Sequence, residues 1–271
     1  MGTTMEREWN RLLRREAQLL RAAEEKDERK NAGKLGEIAG RIEEKIPEKL
    51  TKTLDTAFHK AFFLIFDKGT VVIEKTFRGK DLQMEFRVND FRVEQQPNRK
   101  SLRKLEKTGK RSALVNSCAT TAEGIGLGLL GIGLPDIPLF LAMLLKGLYE
   151  MAASYGYDYH EQQEQILILR IITAALTDGA EKRAADARVE EWLQADVPWK
   201  VDFEEEVGRA SSVLSAAMLT GKFIQGLPVV GAVGGVQNPL IYHKVLQYAA
   251  LKYKKRYLSN FRLRKQGFND R

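Results

Sequence analysis

Cysteine is nearly absent from this chain: Cys118 is the single one among 271 residues. That excludes a disulfide framework and points to a reducing compartment. Histidine is scarce too. His59, His160 and His243 stand far apart, none in HxxxH or HExxH spacing, so neither a metal site nor a cofactor is expected. No GxSxG nucleophile elbow occurs. Cys118, in "VNSCATTAEG", has no neighbouring cation to activate it and reads as a small buried residue. The opening "MGTTMEREWNRLLRRE" holds no apolar run of the secretory kind. Glu6 stands where N-myristoylation of Gly2 wants Ser or Thr. A cytoplasmic protein, peripheral on the cytosolic face of a membrane, is the expectation.

Acid is the other absence. Residues 207–271 hold 11 Lys+Arg and one acid, Asp270, whereas residues 1–206 hold 33 Lys+Arg against 35 Asp+Glu. The net charge of +8 is therefore concentrated in the C-terminal quarter. Such a split implies something anionic beside that quarter, a lipid surface or a phosphate backbone. The rest of the composition, 44% hydrophobic and 30% charged, is that of a folded protein large enough to build its core without staples.

Apolar spacing along the chain is mostly helical. Residues 5–30 place Trp9, Leu12, Leu13, Leu19 and Leu20 among charges, a peripheral charged helix with a narrow buried stripe. Helices are expected at 35–46 and after Pro47, the latter with Leu50, Leu54, Ala57, Phe58, Ala61, Phe62 and Ile65 on one face. Residues 69–93 are ambiguous. "TVVIEKTF" and "MEFRV" alternate as strands do, yet "KDLQMEFRVNDFRV" reads as a helix with Leu82, Phe86 and Phe91 inward. Residues 94–112 read as a basic linker and a short helix. Asp158 is a candidate N-cap for a helix running to about Thr177 with Ile166, Leu169, Ile172 and Leu176 inward. Residues 181–208 read as acidic helix broken at Pro198, and a last helix spans about 239–264. The fold class expected is all-α, with minor β within 70–93 as the alternative. Residues 1–30 form the peripheral helix, 31–265 one helical domain and 266–271 a tail.

Two segments are rich in glycine: "GIGLGLLGIGLPDIPLFLAMLLKGLYE" from Gly124, and residues 211–236. A phosphate loop is disfavoured, because no strand precedes Gly126, Gly128 and Gly131 and because Phe223 in "LTGKF" replaces the Ser or Thr of a Walker loop. A full membrane span is disfavoured as well. Pro135 and Pro138 bracket Asp136 at its midpoint, and a buried Asp there costs about 2.5–3.5 kcal/mol. Two readings stay open: helical hairpins packed inside a soluble core, and hairpins that dip into lipid. Gly124, Gly128 and Gly131 fall on one helical stripe that permits close approach in either case. Asp136 would cap the aliphatic helix that follows.

In the C-terminal helix, Tyr242, Val245, Leu246, Ala249, Ala250, Tyr253 and Tyr257 follow helical spacing. Lys244, Lys252, Lys254, Lys255 and Arg256 fall on the opposite face and flanks. That arrangement suits an interfacial helix meeting anionic headgroups at ~1 kcal/mol per cation, or the solvated face of a helix docked on the core. Nucleic acid is not expected as a partner, since no helix-turn-helix, zinc pattern or aromatic strand motif accompanies the charge. The one place where acid–base groups gather is the rim of the first hairpin: Glu123, Asp136, Tyr155, Tyr157, Asp158 and His160. The plainer reading makes Asp136 and Asp158 helix caps and the tyrosines packing residues.

Two stretches, "EGIGLGLLGIGLPDIPLFLAMLLKGLYEMAASYGYDY" and "GLPVVGAVGGVQNPLIYHKVLQYAALKYKKRYL", resemble the EcsC protein family. The glycine-rich approach to the PDIP turn, the YGYD after the aliphatic helix and the passage from PVVGAVGG into a basic helix carry the likeness, over roughly residues 35–262. The resemblance implies a helical fold and a role near a membrane linked to ABC transport or envelope physiology, with a transporter subunit as a partner. It implies no catalytic residue. The function expected is thus a peripheral, non-enzymatic accessory protein that meets anionic lipid or a transporter subunit. The surface would be made by Gly124, Gly128, Gly131, Pro135, Asp136 and Pro138 with the five C-terminal cations. The alternatives are a membrane-proximal hydrolase using Asp136, Asp158 and His160, and a soluble scaffold docking an acidic protein.

Overall fold

An apolar stripe on a helix must be covered, and the helix that is apolar on most faces takes the centre. In the computed structural model that helix is Asp136–Ser154. The structure describes residues 3–31, 47–115, 136–194, 201–225 and 237–269. The helices are α1 (Thr3–Asn31), α2 (Glu48–Leu64), α3 (Thr70–Glu74), α4 (Gly79–Gln95), α5 (Arg99–Val115), α6 (Asp136–Ser154), α7 (Gln162–Leu176), α8 (Ala180–Gln194), α9 (Phe203–Gln225) and α10 (Gln237–Asn269). A π-helical turn, Ile65–Gly69, joins α2 to α3. Thr70 closes it by donating its hydroxyl to the Ile65 carbonyl at 3.0 Å.

The fold is all-α, with no strand among the described residues. Residues 69–93 are accordingly helical, in α3 and α4. α6 packs on α2, α4, α5 and α10, while α7 packs on α8, α9 and α10. Leu144, Leu145, Leu148, Ile168, Leu169, Ile171 and Ile172 are fully buried between them. Ile137–Ser154 is long and apolar enough to cross a membrane, yet 89% of it is buried under other helices. Its apolar surface is satisfied by protein.

Several expectations change. α1, expected at the periphery, is tied into the body: Met5 and Leu12 are buried, and it packs against α5, α8 and α10. Phe91, expected inward, is 61% exposed, because the buried face of α4 is set by Leu82, Asn89 and Val93. Leu50, at the frayed start of α2, is also exposed. Residues 94–112 are nearly all helix, the connection between α4 and α5 being three residues long. Residues 211–225 continue a helix begun at Phe203, and the rest of the second glycine-rich segment lies outside the described residues. Asp158 is no N-cap. Glu161 precedes α7, and the Asp158 carboxylate instead accepts from the His160 amide at 3.0 Å in a local Asx turn. Helix α6 is described over Asp136–Ser154, and α10 over Gln237–Asn269, longer than the expected last helix. Residues 35–46, Cys118, Pro198 and 226–236 lie outside the described residues.

Gly156, just after α6, has φ +81, and an added Cβ would stand 2.3 Å from the Phe86 ring. Only glycine fits there. Gly156→Ala is expected to lower stability by on the order of 2 kcal/mol, read from denaturant midpoints at unchanged slope.

Within α6, Lys146 and Glu150 sit one turn apart, 3% and 1% exposed. Lys146 Nζ and Glu150 Oε1 have no hydrogen-bond partner among the described residues. Burial pushes the Glu150 carboxyl up to about 7 despite the nearby Lys146 ammonium. A folded acid that holds its proton above its unfolded range favours the native state at low pH, so stability falls as pH rises through about 7. The decline should be on the order of 2 kcal/mol. Glu150→Gln should flatten it, and denaturation curves taken from mildly acidic to mildly alkaline pH measure the difference.

Candidate functional site

The cations of α10 do not form an open basic face. Lys252 is 0% exposed, and its ammonium lies 2.5 Å from Glu16, 2.7 Å from Asp186 and 2.5 Å from Glu190. Tyr248 donates to Asp186 at 2.5 Å. Lys255 reaches the second oxygens of Glu16 and Glu190 at 2.6 and 2.7 Å. Lys254 binds Glu106 at 2.7 Å and Glu8 at 3.1 Å. Arg256 binds Glu164 at 2.6 Å and stacks 3.7 Å over the Tyr157 ring, while Tyr253 donates to Glu164 at 2.5 Å. Lys244 binds Asp178 at 3.0 Å. Each of the five cations assigned to a solvent face thus meets an acid of this same chain. These five cations have their anionic partners inside the fold.

Glu16, Asp186 and Glu190 bring carboxylate oxygens close enough together to hold a metal ion. The Lys252 ammonium occupies the point between them. Burial alone would push Lys252 down, but the carboxylates of Glu190, Asp186 and Glu16 outweigh it and hold the ammonium above its ordinary range. Burial likewise pushes Glu190 up, and Lys252 and Lys255 overcome it and hold the carboxyl below its usual range.

The rim cluster divides. Asp158 and His160 come together, joined by Glu74 from α3, which the sequence did not single out. His160 Nε2 lies 2.8 Å from Glu74, and Tyr159 donates to Glu74 at 2.7 Å. Burial would raise the Glu74 carboxyl, but the hydrogen bonds from Tyr159 and His160 keep it below its usual range. The cleft there is about 500 Å³ and includes Arg78, Lys80 and Asp81, with no Ser, Thr or Cys in its lining. Tyr155 and Tyr157 turn toward α10 instead: Tyr155 stacks on Tyr253 at 6.0 Å, and Tyr157 accepts from Asn260 at 3.2 Å. Asp136 begins α6, roughly 27 Å along that helix from its far end, too far to join them. Pro138 is buried in the first turn of α6. Glu123, Gly124, Gly128, Gly131 and Pro135 lie outside the described residues.

A cluster of cations without ion-pair partners among the described residues lies on α5. On α5, Lys100, Arg103, Lys104 and Lys107 stand at i, i+3, i+4 and i+7, all exposed and none in an ion pair among the described residues. They lie directly opposite Leu102 and Leu105, which are buried. On α4, Met84, Val88 and Phe91 stand at i, i+4 and i+7, exposed by 62, 46 and 61%. Exposed Lys80, Arg87 and Arg92 flank them. α4 and α5 lie side by side on α6, joined at their surface by Thr108 donating to Glu85 at 2.8 Å. Their outer faces therefore look the same way, one apolar and one basic. The signal was present in "RKSLRKLEKTGKR", whose basic residues follow helical spacing.

The pattern that defines the EcsC protein family matches residues 6–258, and the chain belongs to that family. The match takes in α1, in keeping with its place in the body of the fold. The chain is 29% identical over 143 residues to Protein EcsC of Bacillus subtilis (strain 168), covering 51% of this chain and 57% of that protein. It is also 29% identical over 143 residues to an uncharacterized protein, YdbA, of the same organism, covering 51% of this chain and 52% of the relative. The match thus spans a little over half the length of each of these relatives. No solved structure matches.

The Lys252 cage yields a pH-dependent test. Lys252→Met removes the cation at the centre of three carboxylates and leaves only Lys255 at the far oxygens of Glu16 and Glu190, a loss expected at about 3 kcal/mol near neutral pH. A carboxyl held low contributes stability that is present above its unfolded range and lost as pH falls through its folded value. The gap between wild type and variant should therefore narrow in acid as Glu190 protonates. Denaturation at neutral and acidic pH measures both.

Proposed function

We propose that this EcsC-family protein is a peripheral, non-enzymatic accessory protein that docks on an anionic membrane surface through the outer face of α4 and α5. One observation carries the reading: an unpaired basic stripe, Lys100, Arg103, Lys104 and Lys107, beside an exposed apolar stripe, Met84, Val88 and Phe91. An interfacial helix buries a few apolar side chains at the headgroup level while lysine and arginine meet lipid phosphates. A nucleic-acid partner would account for the cations and leave the apolar stripe unexplained. The face lies on the cytosolic side in this proposal, and a transporter subunit in the same membrane is the protein partner that it would meet there.

A second reading, a membrane-proximal hydrolase, draws on the Glu74–His160 pair, in which a carboxylate orients an imidazole as it does in acid–base sites. His160→Ala separates the two readings, because it would abolish hydrolysis and leave membrane docking unchanged.

Flotation with phosphatidylglycerol-containing and pure phosphatidylcholine vesicles, at low and high salt, tests the docking face. Wild type is expected to float with the anionic vesicles, and salt to weaken the association. At ~1 kcal/mol per cation near the surface, Arg103→Gln with Lys107→Gln should weaken binding roughly thirtyfold. Phe91→Asp should weaken it at both salt concentrations. Indifference to vesicle charge would sink the proposal, and recovery with an acidic protein in the absence of lipid would favour a scaffold.

A further inference from the structure

A cleft of about 200 Å³ opens where α1, α5, α6 and α10 meet, away from the docking face and the His160 cleft. Its floor is apolar: Leu12, Met151, Leu246 and Leu251 are each at most 6% exposed. Its charged lining is mostly cationic. Arg11, Arg15 and Lys254 line it against a single acid, Glu106, and that acid is already held by Lys254 at 2.7 Å. Glu8, which Lys254 also binds, is divided among three cations: Arg11, Lys254 at 3.1 Å and Arg99 at 3.7 Å. Arg15 is exposed and has no ion-pair partner among the described residues.

One further group faces this space. Tyr155 lines the cleft and is 3% exposed, its ring stacked on Tyr253. Its hydroxyl has no hydrogen-bond partner among the described residues, whereas Tyr149, Tyr159, Tyr248, Tyr253 and Tyr257 each use theirs. The ring is covered while the hydroxyl opens into the cleft, a free donor on the wall of an apolar hollow under a positive mouth.

We infer that the cleft between α1, α5, α6 and α10 binds a small organic acid with an apolar body, its carboxylate held by Arg11 and Arg15. The apolar body lies on Met151, Leu246 and Leu251, and Tyr155 donates to a polar atom of the ligand. The chemistry of the lining selects this class. A neutral apolar molecule would leave Arg15 unused, a cation would be repelled, and an inorganic anion would leave the floor wet. Size selects within the class: about 200 Å³ corresponds to roughly seven waters of liquid volume, room for a medium-chain acid and far too little for a whole phospholipid. Arg15 is exposed on α1 and Tyr155 keeps its ring contacts when only its oxygen is removed, so both can be altered without dismantling the fold.

Calorimetric titration of the full chain with octanoate, octanol and acetate, below any micelle-forming concentration, tests the assignment. Octanoate is expected to bind at least tenfold more tightly than octanol or acetate. Arg15→Glu should weaken octanoate at least tenfold at an unchanged melting temperature, and Tyr155→Phe severalfold. Failure of octanoate to bind, equal affinity for octanol, or indifference to Arg15→Glu would overturn the inference. None of these outcomes bears on vesicle docking, because Arg15 and Tyr155 lie outside the α4–α5 face.

Discussion

The fold depends on one buried ion cage. Lys252, on the 33-residue helix α10, carries a positive charge into the interior, where an isolated ammonium would be untenable. It is tolerated because α1 supplies Glu16 and α8 supplies Asp186 and Glu190, all within 2.7 Å. None of these carboxylates would be stable there alone either. The first helix and the last are thereby held together through a charge balance that only the assembled structure provides. Buried pairs of this kind are poor sources of net stability, but they penalise misalignment steeply, which makes them register devices for long helices.

That balance also decides where the free charge lies. α10 is the most conspicuous basic segment of the chain, and Lys244, Lys252, Lys254, Lys255 and Arg256 in it are held by Glu8, Glu16, Glu106, Glu164, Asp178, Asp186 and Glu190. Lys100, Arg103, Lys104 and Lys107 of α5 have no ion-pair partner among the described residues and remain open to solvent. A surface is charged by what its own fold leaves unpaired, and linear density along the chain is a poor guide to it. The cleft at the α1–α10 junction follows from the same bookkeeping: Glu8 is shared too widely to neutralise Arg11 and Arg15.

The helices were largely legible from spacing alone. Leu54, Ala57, Phe58, Ala61 and Phe62 face inward on α2 as their period requires, and the aliphatic run after Pro138 is the central helix. Phe91 was misplaced because α4 carries apolar residues on two faces, and periodicity cannot say which face is covered. The Asp158–His160 half of the rim cluster was legible because two residues apart in a turn are necessarily close. Glu74 was not, since it arrives from a helix 86 residues away in sequence. Asp136 failed to join for the converse reason: a helix holds its two ends apart.

Sequence by itself determined the helical architecture, the central place of α6 and the absence of a disulfide framework, because these follow from local period and composition. It also determined that the C-terminal quarter must meet anions. Only the tertiary structure decided that acids of the same chain hold the α10 cations and that an exposed cluster of cations lies on α5. Charge pairing depends on distances of a few ångströms between residues hundreds of positions apart, Glu16 and Lys252 among them, and no pattern along the chain encodes such a distance.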